Sequence, residues 1–244
     1  MPRSITPLAA DGRSALPVIV VAGMAFEARI ARGEGVEVVY AARADLLERA
    51  LSAAMARGCS GVVSFGTAGG LAPDLEAGSL IIADAVAGPL GRLQTDRAWA
   101  DRLADAIAAG PLAARLRRGL MAAVAAPLVS ASDKDALHRS NGALAVDMES
   151  HIAGAAAAAH GVPFAVCRAI VDPAWRTLPS AATAGLRDDG STALGPILRE
   201  LMRQPSQLGA LIQLAGDARA ARIALVQARR AMGTAGALRM TAIA

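Results

Sequence analysis

At 244 residues, 54% of them hydrophobic but only 2% aromatic, the chain has the length for one large domain whose core is built from Ala, Val, Leu and Ile. The formal net charge is only +4, and the arginines lack the interleaved aromatics of a single-strand binder, which argues against nucleic acid as a partner. Cys59 and Cys167 have no C-x-x-C spacing, and His138, His151 and His160 fit no ligand pattern, so neither a disulfide framework nor a metal is expected and the setting reads as cytoplasmic.

Residues 1–16 carry Pro, Asp and Arg without a continuous apolar run and read as a flexible tail, not a secretory signal. A strand is expected over 17–22, a helix or turn over 24–31, and a second strand over 36–40. A helix over 45–57 follows, with Leu46, Leu47, Ala50, Leu51 and Ala54 on one face. A buried strand, 61–65, runs into a glycine loop, 66–70, and further strands are expected over 79–86 and 122–130, with a helix over 96–109 between them. The alanine-rich stretch 149–160 reads as a helix stopped by Gly161 and Pro163, and 164–171 as a strand that delivers Asp172. Beyond Pro179 the pattern changes to a polar stretch, 180–191, and then two helices over 192–232 broken at Pro205. No apolar run approaches the roughly 20 residues that span a bilayer.

This alternation predicts a three-layer α/β/α fold around a central mixed sheet, with a core over 17–178 and a C-terminal helical extension, 179–244, packed on it. Ligands in such sheets gather at the carboxyl ends of strands, and Glu27, the run S-F-G-T-A-G-G (64–70) and Asp172 all follow strand ends. The glycines let backbone N–H groups face a ligand, but the run matches neither G-x-G-x-x-G nor a P-loop.

Four segments together carry more. A-G-M-A-F-E (22–27), S-F-G-T-A-G-G-L-A-P with the following E-A-G-S-L-I-I-A-D, V-D-M-E (146–149) and P-F-A-V-C-R-A-I-V-D (163–172) resemble, in order and spacing, the nucleoside phosphorylase and methylthioadenosine/adenosylhomocysteine nucleosidase superfamily. The later D-P-A-W-R-T-L-P-S-A-A and Q-L-G-A-L-I-Q-L-A resemble its hopanoid-associated phosphorylase-like branch, whose proposed substrate is adenosylhopane. The resemblance implies a purine nucleoside phosphorylase-like fold, a homodimer and cleavage of the N-glycosidic bond of an adenine nucleoside with a bulky apolar 5′ substituent. Asp172 would be the acid at the purine, Glu149 the acceptor for the ribose hydroxyls and Met148 a floor under the sugar. Thr67, Gly69, Ser132 and Asp133 would complete the substrate site.

Glu27 bears on the reaction type. A carboxylate there polarises water and repels a phosphate dianion, and Ser64 stands where phosphate-using relatives often place an arginine. Hydrolysis without a cofactor is therefore expected. Phosphorolysis, with phosphate as co-substrate held by Thr67, Arg29 or Arg168, is the alternative within chemistry. Val171 replaces a serine common in relatives, and 131–141 lacks their base-stacking phenylalanine, which keeps open a non-catalytic nucleoside-binding protein. The C-terminal helix, with Leu211, Leu214, Ala218, Ala221, Leu225 and Ala228 on one face, would pack on the domain or a partner, or else lie on a membrane surface.

Overall fold

The computed structural model describes residues 16–180, 187, 191 and 193–238; the expected tail, apart from Leu16, and most of the polar stretch 180–191 lie outside the described residues. The chain opens with β1 (Val18–Ala22), α1 (Ala25–Ala31), β2 (Val36–Tyr40) and α2 (Ala44–Met55). It continues through β3 (Gly61–Gly70), β4 (Leu80–Gly88), β5 (Gly91–Gln94), α3 (Arg97–Ala108) and β6 (Leu116–Ala123). Next come α4 (Ala131–Asn141), β7 (Ala145–Asp147), α5 (Ser150–Ala159) and β8 (Phe164–Asp172), and finally α6 (Leu194–Arg203) and α7 (Leu208–Thr234).

The strands form one eight-stranded mixed sheet in the order β2-β1-β3-β7-β6-β4-β5, with β8 bridging β3 and β4. Its core strands are apolar on both faces because helices cover both. Ile19 and Val21 of β1 pack toward Leu47, Leu51 and Met55 of α2 and Ile152, Ala153 and Ala157 of α5. Val18 and Val20, one residue out of phase, pack with Trp99 and Leu103 of α3 and Ala221, Ala224, Leu225 and Ala228 of α7. This is the expected three-layer architecture. In addition the sheet curls on itself, since β8 pairs parallel with β3 and antiparallel with β4 while β7 links β3 to β6.

Helix boundaries follow local chemistry. Asp96 caps α3 by accepting from Trp99 N at 2.7 Å, and Ser130 caps α4 by accepting from Asp133 N at 3.1 Å. Gly142 ends α4 at φ 72°, the left-handed conformation glycine adopts without a Cβ penalty. Helices α6 and α7 are separated by a 3-10 turn at Pro205, as the missing proline N–H requires.

Three expectations need correction. The glycines of 66–70 do not form a loop: they are the second half of β3, where a strand of small residues can be paired by β8 and β7 at once. The strand expected over 122–130 is β6, Leu116–Ala123, whose Arg117, Arg118 and Gly119 hid its start. In α7 only the second half reaches the core: Leu211 and Leu214 are half-buried and Ala218 is exposed, while Ala221, Ala224, Leu225, Ala228 and Met232 are buried.

Candidate active site

The parallel strands β1, β3 and β8 bring their carboxyl ends to one edge. Beyond Ser64, the last partner of β1, β3 overhangs, and along this overhang only Thr67 and Gly69 are partly exposed. Two residues apart, they share one face of the strand.

Glu27 sits at the third position of α1, right after β1, and is 1% exposed. Its Oε2 accepts from Gly23 N at 3.1 Å and Met24 N at 3.0 Å, satisfying donors at the helix start. Its Oε1 accepts from both Thr67 N and Thr67 Oγ1 at 2.7 Å. Four donors fill the roughly four lone-pair sites a carboxylate offers. A Cβ on Gly66 would lie 2.7 Å from this carboxylate and 2.8 Å from Arg168 Nη1, so the strand must be bare there to leave room for both.

Arg168, on β8 beside Gly66, is fully buried and satisfied on several sides. Its Nε stands 2.8 Å from Asp147 Oδ2, an ion pair too bent to be a hydrogen bond. Nη2 donates to Ser64 Oγ at 2.6 Å and lies 3.2 Å from Glu149 Oε2, and Nη1 donates to Thr67 O at 3.2 Å. Ser150 Oγ joins the group through Ser64 Oγ and Asp147 Oδ2. Ser64 thus serves as a buried relay to Arg168, a guanidinium that arrives from β8 rather than from position 64.

Glu149 is the residue before α5 and keeps 15% of its side chain exposed. Burial pushes its carboxyl up to about 7; Arg168 pulls it down, while Asp147 and Glu27 push it further up. Three carboxylates face one guanidinium, and Glu149 is the partly open one of the three. A Cβ on Gly23 would fall 2.4 Å from Glu149 Oε1, which places this carboxylate against the same turn that holds Glu27. Met148 beside it is partly exposed.

Asp172 ends β8 opposite Gly69, across a bulge in the pairing. Its Oδ2 lies 2.5 Å from Nζ of Lys134, a residue of α4 with no exposed surface. Burial pushes the Asp172 carboxyl above its ordinary range, against the pull of Lys134. Sequence reasoning missed Lys134, choosing its neighbours. Ser132 and Asp133 are both exposed in the first turn of α4, Ser132 bonded to Ser130 Oγ at 3.0 Å. The signal was the helical phase, because only the third residue of S-D-K turns inward from a cap at Ser130. Arg29 is exposed on α1, two residues from Glu27 and therefore on another face.

A lysine-paired acid at the end of β8, a hydrogen-bonded acid just after β1 and a partly open acid beside Arg168 make this edge of the sheet the candidate site. The model of the phosphorylase superfamily matches residues 17–193, and the chain belongs to that superfamily. It is an enzyme of the nucleosidase or nucleoside phosphorylase class. Among curated proteins none matches the chain in sequence.

Solved structures share the fold. The 5′-methylthioadenosine/S-adenosylhomocysteine nucleosidase of Neisseria meningitidis, in complex with methylthio-immucillin-A, superposes with TM-score 0.65 at 15% identity, covering 89% of this chain and 98% of that one. The Helicobacter pylori enzyme of the same name, with butyl-thio-DADMe-Immucillin-A, gives 0.62 at 16%, covering 92% and 99%. Futalosine hydrolase of Helicobacter pylori gives 0.64 at 16%, with the same coverages.

Proposed function

We propose that the enzyme hydrolyses the N-glycosidic bond of an adenine nucleoside carrying a bulky apolar 5′ substituent, adenosylhopane being the leading candidate, and releases adenine. The observation that carries hydrolysis over phosphorolysis is the state of Arg168. The buried cation beside Thr67 is already matched by Asp147 and Glu149, and Thr67 N and Oγ1 are engaged with Glu27. A phosphate dianion would meet three carboxylates without an unmatched positive partner. Water carries no such charge.

The transition state of such a cleavage is oxocarbenium-like, with positive charge on the ribose and negative charge on the departing base. Glu27 and Glu149 supply negative potential on the sugar side, and Asp172 supports protonation of the base at N7. Glu27 accepts from water once the Thr67 hydroxyl, the one donor of its four that can rotate, swings away from Oε1. Glu149, ionised, accepts from the ribose hydroxyls over Met148. By analogy with two-carboxylate glycosidases, attack from the opposite face inverts the anomeric centre.

Similar structures support the substrate class: nucleosidases of this fold hold 5′-methylthioadenosine or butyl-thio-DADMe-Immucillin-A. The bulk of the 5′ group rests on the hopanoid-associated resemblance. A membrane surface fits the same reading. Leu198 and Met202 of α6 and Leu208 and Ile212 of α7 are exposed at helical spacing, with Arg199 and Arg203 among them. A cytoplasmic homodimer working at that surface is the proposed setting.

The deciding experiment incubates the protein with 5′-alkyl adenosines of increasing chain length, with and without phosphate, and follows adenine and the sugar product. Adenine release independent of phosphate is expected; strict phosphate dependence would make the enzyme a phosphorylase.

A further inference from the structure

The Lys134 side chain has no surface exposed and stands among the largest fully buried side chains of the protein. Its Nζ is surrounded by acceptors: Asp172 Oδ2 at 2.5 Å, Arg176 O at 3.0 Å, Pro173 O at 3.2 Å and Asp172 O at 3.3 Å. An ammonium has three N–H groups and accepts nothing, so a cage of carbonyls and a carboxylate is built for the charged form. The cage is held from outside. The segment after β8 is pinned by Leu178 N donating to Val129 O at 2.8 Å, and Arg176 reaches α7 through Asp217 at 2.7 Å and Gln213 at 2.6 Å.

We infer that Lys134 is a positioning residue for Asp172: its ammonium occupies Oδ2, leaves Oδ1 for the base, and opposes proton uptake by this carboxylate until a base is bound. Asp172 is nearly enclosed, and without a cation an enclosed carboxyl keeps its proton. The other charge acting on it is Asp217 of α7, itself matched by Arg176, and it pushes in the same direction as burial. Lys134 is therefore the charged group that holds Asp172 toward the ionised form, with a smaller contribution in the same direction from the backbone N–H of Asp172 itself. A solvent proton then passes to Oδ1, and from Oδ1 to N7 as the glycosidic bond breaks and its electron pair leaves with the base; the water at Glu27 bonds to the anomeric carbon and returns one proton to solvent, and the carboxylate is left again beside an unchanged ammonium.

The inference rests on the nucleosidase reading for what Asp172 serves, but its test does not need turnover. Asp172 is followed by NMR of protein labelled with carbon-13 at the aspartate Cγ, its resonance assigned by its loss in Asp172→Asn. The wild-type carboxyl is expected to be ionised at neutral pH, and in Lys134→Gln its titration should move up by about 1–3 pH units. The pH profile of kcat, where adenine release is seen, should move with it. An Asp172 resonance that titrates alike in both proteins would overturn the inference. Should Lys134→Gln fail to fold, the wild-type spectrum still decides, because a carboxylic acid at pH 7 beside Lys134 contradicts the role. Absence of adenine release from every adenosine would remove the nucleosidase reading and leave the two titrations standing.

Discussion

Glu149 holds its proton more tightly in the folded chain than free in solution, moving from 4.5 to about 7 through burial against Asp147 and Glu27. Such a carboxyl favours the folded state below about pH 4.5, and that advantage is lost as the pH rises to about 7, a change on the order of 3 kcal/mol. Urea titrations over this window should show Glu149→Gln with a flatter fall in stability than the wild type; parallel curves would mean that Glu149 is not the group responsible. In function the sign reverses, because only the ionised carboxylate accepts from both ribose hydroxyls, so turnover should rise through the same range. Asp172→Ala removes the acid at the base and should lower kcat by about 10²–10⁴-fold with a much smaller change in substrate binding. Equal turnover would take Asp172 out of the mechanism. The same change strands the Lys134 ammonium, and leaving one member of a buried pair costs about 3–5 kcal/mol, so its unfolding must be measured beside its kinetics.

At the scale of elements, the overhang of β3 explains why glycines stand where they do. A methyl on Gly66 would be driven into Glu27 and Arg168, and one on Gly23 into Glu149, whereas one on Gly69 would lie 3.3 Å from Val146 Cγ1 and 3.4 Å from both Asp172 oxygens, a far milder crowding. Gly66→Ala should therefore abolish adenine release, while Gly69→Ala should keep a measurable fraction of it. A reversed order in steady-state assays would show that the packing of Glu27 and Arg168 against Gly66 does not serve the reaction. Helix α7 makes a different contribution. Its alanines let the helix lie close on β8 and α3, and Ala228 has no exposed surface. Ala228→Leu should destabilise by about 1–3 kcal/mol through overpacking, read as a shift of the urea midpoint at unchanged slope.

For the whole molecule, the C-terminal helices are divided between core and surface. Residues from Ala221 to Leu238 share a hydrophobic cluster with β1, β3, β4, β8 and α3, and Trp99 Nε1 donates to Ala237 O at 2.9 Å. Deleting 206–244 would therefore open the core and cannot serve as a test of membrane contact. Exchanging the exposed Leu198, Met202, Leu208 and Ile212 for serine leaves the buried half of α7 intact. If this surface meets lipid, the quadruple variant should lose sedimentation with anionic vesicles while keeping its melting temperature; unchanged sedimentation would end the membrane proposal. No helix among the described residues is long and apolar enough to cross a bilayer.

The apolar runs of β1, β3 and β8 and the phase of α2 determined the layer order, since a segment buried on both faces or on one face writes that fact into its own residues. Glu27 and Asp172 were legible as candidates for the same reason, each following a strand whose pattern is local, whereas Glu149 was singled out only by the resemblance of V-D-M-E, because the three-residue β7 before it is too short to show a pattern. Only the tertiary structure decided what those acids touch. Lys134, Asp147, Ser150 and the neutralised state of Arg168 arise from α4, β7, α5 and β8, elements far apart in the chain. Charge pairing depends on distances of a few ångströms across the fold, and no local pattern carries them. Nor could the sequence show that 66–70 is a strand, because glycine has little strand propensity of its own and takes that form here from partners on both sides.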